Sequence, residues 1–143
     1  MSSALRILVP TDGSEPSQRA AQYVLMLAAR GLLVDVHLLN VQPALRGGAA
    51  SMVSQNDLEC YHRDEGMKLL ADSLRLIQTA GLIPHAHVGV GAPGETILAF
   101  ARRLQCEQIV MGSRGHATVR KLLLGSVALH VVNMADIPVT LVR

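Results

Sequence analysis

Glycine residues in the last third of the chain are spaced as in loops that bind phosphate. Gly112 and Gly115 are three residues apart, and Gly125 follows ten residues later, directly before Ser126. Glycine lets a backbone approach an anion closely, so that its N–H groups can donate to phosphate oxygens. Arg114, between the first two glycines, is of a residue type that binds phosphate through two parallel hydrogen bonds. We therefore predict a nucleotide phosphate site here, with a helix beginning at Gly125 and Ser126 adding the positive end of its dipole.

A second polar group, Pro10, Thr11 and Asp12, comes at the end of the first apolar run of the chain. Asp12 has two candidate roles, because an aspartate after a strand often caps the next helix and also binds ribose hydroxyls in dinucleotide folds. Ser126 has the same ambiguity, since a serine that starts a helix caps it with or without phosphate. The two roles are compatible at both positions.

Strands and helices are predicted to alternate along the chain. Apolar, largely β-branched runs predict strands, and apolar residues at helical spacing predict helices. The predicted strands are residues 5–10, 33–41, 83–90, 107–111 and 137–142, and the predicted helices are residues 16–30, 56–80, 93–104 and 127–135. Residues 44–54 are small and aperiodic, which predicts a mobile loop. Gly66, in the middle of the second helix, is a candidate for a bend.

This alternation predicts one doubly wound, Rossmann-like α/β domain over residues 1–143, with a parallel sheet and helices on both faces. Ligands of such domains bind beyond the carboxyl ends of the strands, where the strand order reverses. The loops after the first and fourth strands both lie at that edge. If these two strands are neighbours, their loops face each other across one crevice.

The composition argues against several classes of protein. The formal charge of +2 is spread along the chain without a basic run, and two tyrosines and one phenylalanine are too few to stack bases, so no nucleic-acid partner is expected. Cys60 and Cys106 are too few for a disulfide framework and suit a reducing compartment. The sequence shows neither a signal-peptide pattern nor an apolar stretch long enough for a membrane span. A cytoplasmic location without a membrane partner is predicted.

Other motifs offer weaker alternatives. Residues 89–94 read Gly-x-Gly-x-x-Gly, the pattern of a nicotinamide or flavin dinucleotide site, but residues 110–113 lack the acidic residue that should follow about 20 positions on. His85 and His87 share one face of a strand at a spacing that can bind metal, yet no third ligand is evident, so no metal site is predicted. His116 is either a phosphate contact or a solvated loop residue. Lys121 is not a Walker lysine, because the GxxxxGK[ST] pattern is absent.

Several segments together resemble the ATP-binding branch of the universal stress protein family. They are Ile-Leu-Val-Pro-Thr-Asp-Gly-Ser at residues 7–14, Gly-Ala-Pro at residues 91–93 with Ile97 after it, Gly-x2-Gly-x9-Gly-Ser at residues 112–126 and Ile-Pro-Val at residues 137–139. They span nearly the whole chain in the family's order. The branch of the family that does not bind ATP lacks the late glycine motif.

The resemblance implies five parallel strands in the order 3-2-1-4-5 and a homodimer formed through the last strand, residues 138–142. It implies ATP as the ligand, with AMP or a cyclic nucleotide as alternatives, together with Mg²⁺. The implied nucleoside contacts are Asp12 and Val41, with Pro10 and Thr11 lining the pocket. The implied phosphate contacts are Gly112, Arg114, Gly115, Gly125, Ser126 and Val127, with Met111 beneath them.

The last strand also suggests a dimer on physical grounds. It would lie at the edge of the sheet with unpaired backbone groups, which a two-fold partner's last strand could pair. The alternative is a monomer whose edge Pro138 protects.

Three hypotheses of function remain at this point. The leading one is an ATP-binding regulatory protein whose nucleotide state reports on energy or stress, without catalytic residues. The second is an enzyme that hydrolyses ATP slowly or transfers a nucleotidyl group at the same site. The third is a dimeric interaction module whose pocket is vestigial or holds another adenine nucleotide.

Overall fold

The computed structural model describes residues 3–45, 47–116 and 124–143. Five strands form one parallel sheet: β1 (Leu5–Pro10), β2 (Val34–Gln42), β3 (His85–Val90), β4 (Gln108–Gly112) and β5 (Val139–Val142). Their order is β3-β2-β1-β4-β5. The predicted α/β fold and the strand order 3-2-1-4-5 are confirmed. Because β1 and β4 are neighbours, the loops that follow them lie side by side at the carboxyl edge of the sheet.

Helices cover both faces of the sheet. They are α1 (Glu15–Ala29), α2 (Gly48–Ser51), α3 (Gln55–Thr79), α4 (Pro93–Arg103) and α5 (Ser126–Met134). Successive strand residues alternate between two apolar clusters. Ile7 and Val9 pack with residues of α1 and α3 on one face, whereas Leu8 packs with residues of α4 and α5 on the other. This alternation explains why the strands are apolar on both sides.

The predicted loop at residues 44–54 is wrong in part, because it contains the single helical turn α2. One turn of small residues has too few apolar positions to show helical periodicity in the sequence. Arg46 of this segment lies outside the described residues.

Gly66 is required by packing between α3 and β3. The helix continues through it from Gln55 to Thr79, and a Cβ at Gly66 would lie 2.6 Å from both methyl carbons of Val88. The absence of a side chain therefore lets α3 approach the sheet closely, which is a sufficient reason for this glycine without a bend.

Candidate functional site

A cavity of about 430 Å³ opens at the carboxyl edge of the sheet, within the size range of small-molecule sites. Its walls come from the ends of β1, β2 and β4, the loop after β4 and the first turn of α5. All eleven residues predicted from the sequence line it: Pro10, Thr11, Asp12, Val41, Met111, Gly112, Arg114, Gly115, Gly125, Ser126 and Val127. The fold thus brings together residues separated by more than a hundred positions in the chain. Their contacts with a nucleotide stay a prediction.

Asp12 connects the two loops that face each other. Its Oδ1 accepts a hydrogen bond from the backbone N–H of Ser14 at 2.9 Å, and its Oδ2 accepts one from the backbone N–H of His116 at 3.2 Å. Burial by itself would raise the pKa of Asp12, but the hydrogen bonds from Ser14 and His116 outweigh it and lower this pKa. Asp12 is therefore a carboxylate at neutral pH.

The helix-capping roles considered for Asp12 and Ser126 belong to their neighbours. Ser14 is the N-cap of α1, and its side chain accepts from the backbone N–H of Ser17. Gly125 is the N-cap of α5, and Ser126 is the first residue of that helix. Neither Asp12 nor Ser126 is thus explained as an N-cap residue.

Two glycines of the late motif are needed by the loop itself. A Cβ at Gly115 would overlap Oδ2 of Asp12, and a Cβ at Gly112 would lie 2.8 Å from Cβ of Pro16. Glycine at these positions lets the loop after β4 pack against the start of α1. The same close packing leaves Arg114 and His116 on the cavity wall.

The phosphate end of the predicted site contains a helix end without a side-chain cap and a buried hydroxyl without a hydrogen-bond partner among the described residues. Gly125 provides no side chain to cap the first turn of α5. Ser113, which lines the cavity, is 3% exposed, and its Oγ has no hydrogen-bond partner among the described residues. Its backbone is fixed, since its carbonyl accepts from Gly125 N and its N–H donates to the Val142 carbonyl, both at 2.7 Å. The uncapped helix end is suited to bind an anion. Residues 117–123 lie outside the described part of the chain.

Sequence reasoning missed a buried polar network behind the cavity. Thr11 Oγ1 donates to Ser17 Oγ at 2.7 Å, and Asn40 Nδ2 donates to the Thr11 carbonyl at 2.9 Å. Gln42 Nε2 donates in turn to Asn40 Oδ1 at 2.7 Å. These bonds fix the end of β1 relative to that of β2. The available signal was Asn40 itself, a polar residue within an apolar strand.

The model of the universal stress protein family matches residues 4–143 of the chain. The chain belongs to the universal stress protein family. The universal stress protein MJ0531 of Methanocaldococcus jannaschii is 29% identical over 140 residues, which cover 96% of this chain and 81% of that relative.

Solved structures share the fold of this universal stress protein. That of the hypothetical protein MJ0577, a Methanocaldococcus jannaschii universal stress protein, superposes with a TM-score of 0.80 at 28% identity and covers 99% of this chain and 96% of that one. A universal stress protein in complex with cAMP superposes with a TM-score of 0.74 at 24% identity and covers 99% of each chain.

Two further structural neighbours also contain adenine nucleotides. The Archaeoglobus fulgidus universal stress protein in complex with dAMP has a TM-score of 0.67 at 23% identity and covers 100% of each chain. An Arabidopsis thaliana universal stress protein family member with AMP bound has a TM-score of 0.69 at 20% identity and covers 96% of this chain and 90% of that one. At these identities the likeness to this universal stress protein is one of fold.

The Gly-x-Gly-x-x-Gly pattern at residues 89–94 is explained by packing in this universal stress protein. A Cβ at Gly89 would lie 2.7 Å from Thr96 Cγ2 and 2.8 Å from Phe100 Cε2, and one at Gly94 would lie 2.7 Å from the ring of His130. These glycines let α4 pack against β3 and α5. Of the six residues, Pro93 alone lines the cavity.

The histidine pair of β3 has neighbours that the sequence did not reveal. His85 and His87 lie on an edge strand, as expected, but Asp35 and His37 of β2 lie beside them. Burial lowers the pKa values of His37 and His87, and the partly buried Asp35 carboxyl has a lowered pKa because hydrogen bonds from Arg6 and His37 outweigh its desolvation. In the folded chain, ligand atoms of Asp35 and His37 therefore lie within 4.8 Å of His85, an arrangement that the sequence did not reveal.

No helix within residues 3–45, 47–116 and 124–143 combines the length and the apolar character needed to cross a bilayer.

Proposed function

We propose that this universal stress protein binds ATP in the cavity at the carboxyl edge of its sheet and acts as a nucleotide-dependent regulatory protein in the cytoplasm. The observation that carries the proposal is the meeting of two loops through Asp12 and His116 beside the uncapped end of α5. Family members of the same fold in complex with cAMP, dAMP and AMP support an adenine nucleotide as the ligand.

The nucleoside half of the ligand fits the part of the cavity between β2 and α4. Leu39, Val41 and Ile97 supply apolar surface for a base. Each Asp12 oxygen uses one lone pair for a backbone N–H and keeps another, so the carboxylate can also accept hydrogen bonds from ribose hydroxyls.

The phosphates fit the opposite half of the cavity. The first-turn N–H groups of α5 are donors there, and Arg114 supplies positive charge. Asp12 is the one carboxylate among the described residues that line the cavity, and it already accepts two backbone hydrogen bonds. Mg²⁺ would therefore be held mainly by oxygens of the nucleotide, with Asp12 as the nearest protein anion.

The decisive experiment is thermal unfolding with ATP, AMP, cAMP or NAD, each with and without Mg²⁺, after bound nucleotide has been removed. A ligand at 100 times its dissociation constant adds about 2.7 kcal/mol to the free energy of unfolding. We expect the largest shift with ATP and Mg²⁺. A larger shift with AMP or cAMP would show that this nucleotide, and not ATP, is the preferred ligand. If none of the nucleotides shifts the unfolding temperature, the proposal fails and the hypothesis of a dimeric interaction module is favoured.

Two glycine variants make the test specific to the site. Gly115→Ala places a methyl group against Asp12 and should abolish the ATP-dependent shift. Gly48→Ala is a matched control, because a Cβ at Gly48 meets nothing within 4 Å. Equal shifts in the two variants would contradict the placement of the nucleotide.

The rate of phosphate release from ATP distinguishes a regulatory protein from an ATP-hydrolysing enzyme. The proposal predicts at most slow ATP hydrolysis, because phosphoryl transfer requires a positioned base or metal. Steady release above about 1 s⁻¹, within the usual range of enzymes, that disappears in Asp12→Ala would establish an ATPase instead.

We further propose a homodimer through β5. Ile109 N donates to the Pro138 carbonyl and Ser113 N to the Val142 carbonyl, so the alternating pattern directs the backbone groups of Val139 and Leu141 away from β4, toward the open edge. A partner's β5 would pair them. Light scattering after size-exclusion chromatography should give twice the 15.3 kDa chain mass at micromolar concentration, and the mass of a single chain would refute the dimer.

A further inference from the structure

A compact group of potential metal ligands lies on the α4-covered face of β2 and β3. His37 Nε2 is 3.3 Å from Asp35 Oδ2, and His85 Nε2 is 3.2 Å from Asp35 Oδ1. The three ligand atoms lie within 4.8 Å of one another. This group shares no residue with the nucleotide cavity.

The parallel pairing of two strands creates this arrangement. Asp35 and His37 are two residues apart on β2 and thus point to the same face. The register then places His37 beside His85, the first residue of β3. Two imidazoles and one carboxylate, separated by nearly 50 positions in the chain, therefore converge at the amino end of β3.

The ligand atoms are supported by a second layer of hydrogen bonds. His37 Nδ1 is 2.9 Å from Nε2 of His87, so an Nδ1–H can be donated there while Nε2 keeps its lone pair for a metal. Arg6 Nε donates to Asp35 Oδ2 at 3.1 Å, and Arg6 Nη1 donates to the Leu104 carbonyl at 2.9 Å. Partners of this kind orient the histidine and carboxylate ligands of metal sites. Oδ1 of Asp35, which faces His85, is the oxygen left to bind an ion.

The group combines one fixed ligand with one adjustable ligand. The side chain of His37 is 9% exposed, whereas that of His85 is 55% exposed. Their rings stack at 4.5 Å between centroids, with 17° between the planes. Because a metal lies in the plane of each imidazole that binds it, the exposed His85 ring must turn on binding. Solvent then reaches the open side of the ion and can supply a fourth ligand, as water does in three-ligand zinc sites.

From this geometry we infer that Asp35, His37 and His85 form a binding site for a divalent transition-metal ion of the zinc class. Imidazole nitrogen selects such ions over Mg²⁺ and Ca²⁺, which take oxygen ligands. The site is separate from the proposed nucleotide function and does not depend on it.

Cobalt(II) gives a direct test, because it binds at zinc sites and its visible absorption reports coordination. The chelator-stripped full-length protein should take up one equivalent of Co²⁺ with the intense visible bands of a four-coordinate ion, and Zn²⁺ should displace it. Magnesium in large excess should not compete. Weak octahedral absorption only, or no uptake at all, would overturn the site.

Variants assign the ligands. His85→Ala, at an exposed position, and Asp35→Asn should each weaken Zn²⁺ binding by about tenfold or more, the scale of effect seen when groups around a metal are removed. His130→Ala, at an exposed histidine outside the group, and Cys60→Ser, at an exposed thiol, are the matched controls and should bind as the unmodified protein does. Binding that survives His85→Ala and Asp35→Asn, or that is lost in either control, would overturn the assignment.

Circular dichroism and thermal unfolding without metal check that each variant is folded. Because the ligands are separate from the cavity, the nucleotide-dependent shift in unfolding temperature should be the same in His85→Ala and the unmodified protein. Failure of the nucleotide proposal would therefore leave the metal test intact, and the reverse also holds.

Discussion

At the scale of single residues, Asp12 has two roles: it joins the loops after β1 and β4, and it is the proposed contact for the ribose of the ligand. It accepts two backbone hydrogen bonds, and a side chain at position 115 would overlap its Oδ2. A site of this kind depends on the charge of one carboxylate and on the absence of one methyl group. Two predictions belong to this scale.

Acid should destabilise the protein through Asp12. Its pKa is lowered in the folded chain, so the unfolded chain binds a proton more readily. The stability that Asp12 contributes is complete above the unfolded value of about pH 4 and is lost as the pH falls through the folded value. Thermal unfolding between pH 6 and pH 3 should show the unmodified protein losing more stability than Asp12→Asn, which does not titrate. Identical pH profiles would show that Asp12 is not held in this way.

Removal of the Asn40 side chain should show how much the buried polar network contributes to the free energy of unfolding. Asn40→Leu leaves the Gln42 amide and the Thr11 carbonyl without their side-chain partner. Each buried polar group left unpaired costs about 1–3 kcal/mol. Denaturant unfolding should therefore show a loss of at least about 1 kcal/mol in the free energy of unfolding. The same substitution at exposed Asn133 is the control and should change it by less than about 0.5 kcal/mol.

At the scale of elements, α3 approaches β3 so closely that position 66 of the helix has no room for a side chain. Gly66 and Val88 are in contact across this interface, where a glycine in the helix carries a propensity cost of about 1 kcal/mol. The cost persists because alanine would collide with a branched side chain on the strand.

Gly66→Ala should therefore destabilise the protein although alanine favours helix. The overlap with Val88 costs about 1–3 kcal/mol, which exceeds the helix-propensity gain. In a double-mutant cycle measured by denaturant unfolding, Val88→Ala should relieve the overlap and give a favourable coupling of about 1 kcal/mol. Additive effects of the two substitutions would contradict the proposed contact.

At the scale of the whole molecule, the two cysteines distinguish the native from the opened protein, because one thiol is exposed and the other is buried. Cys106 lies in the core between the sheet and the α4–α5 face, and burial raises the pKa of its thiol to about 11. Cys60 is exposed on α3. The thiolate is the reactive form, so both the burial of Cys106 and the raised pKa of its thiol slow its reaction.

Alkylation at pH 8 should modify one thiol per native chain, Cys60, and both thiols in denaturant. Slow reaction of Cys106 then measures opening of the whole domain. A bound nucleotide that stabilises the fold should slow it further, as mass spectrometry of the alkylated peptides would show. Rapid modification of Cys106 in the native protein would contradict the buried position.

The sequence by itself determined the alternation of strands and helices and identified Asp12 and the late glycine motif as parts of a predicted ligand site, whereas individual cavity residues such as Val41 came from the family resemblance. Apolar runs and glycine spacing are local patterns, and in a parallel sheet the carboxyl ends of strands meet at one edge, so Asp12 and Gly115 could be predicted to lie together. The family resemblance supplied the strand order. Short elements such as α2 could not be predicted, because a single helical turn has too few apolar positions to show a period in the sequence.

Only the tertiary structure decided which glycines serve packing and which polar residues meet across strands. Glycine is needed at positions 66 and 89 because Val88, Thr96 and Phe100 occupy the space that a side chain would fill. Asp35 and His37 join His85 because of the register between β2 and β3, which the sequence of neither strand specifies. Contacts of this kind depend on the relative position of two elements in space, and a pattern within one element carries no information about it.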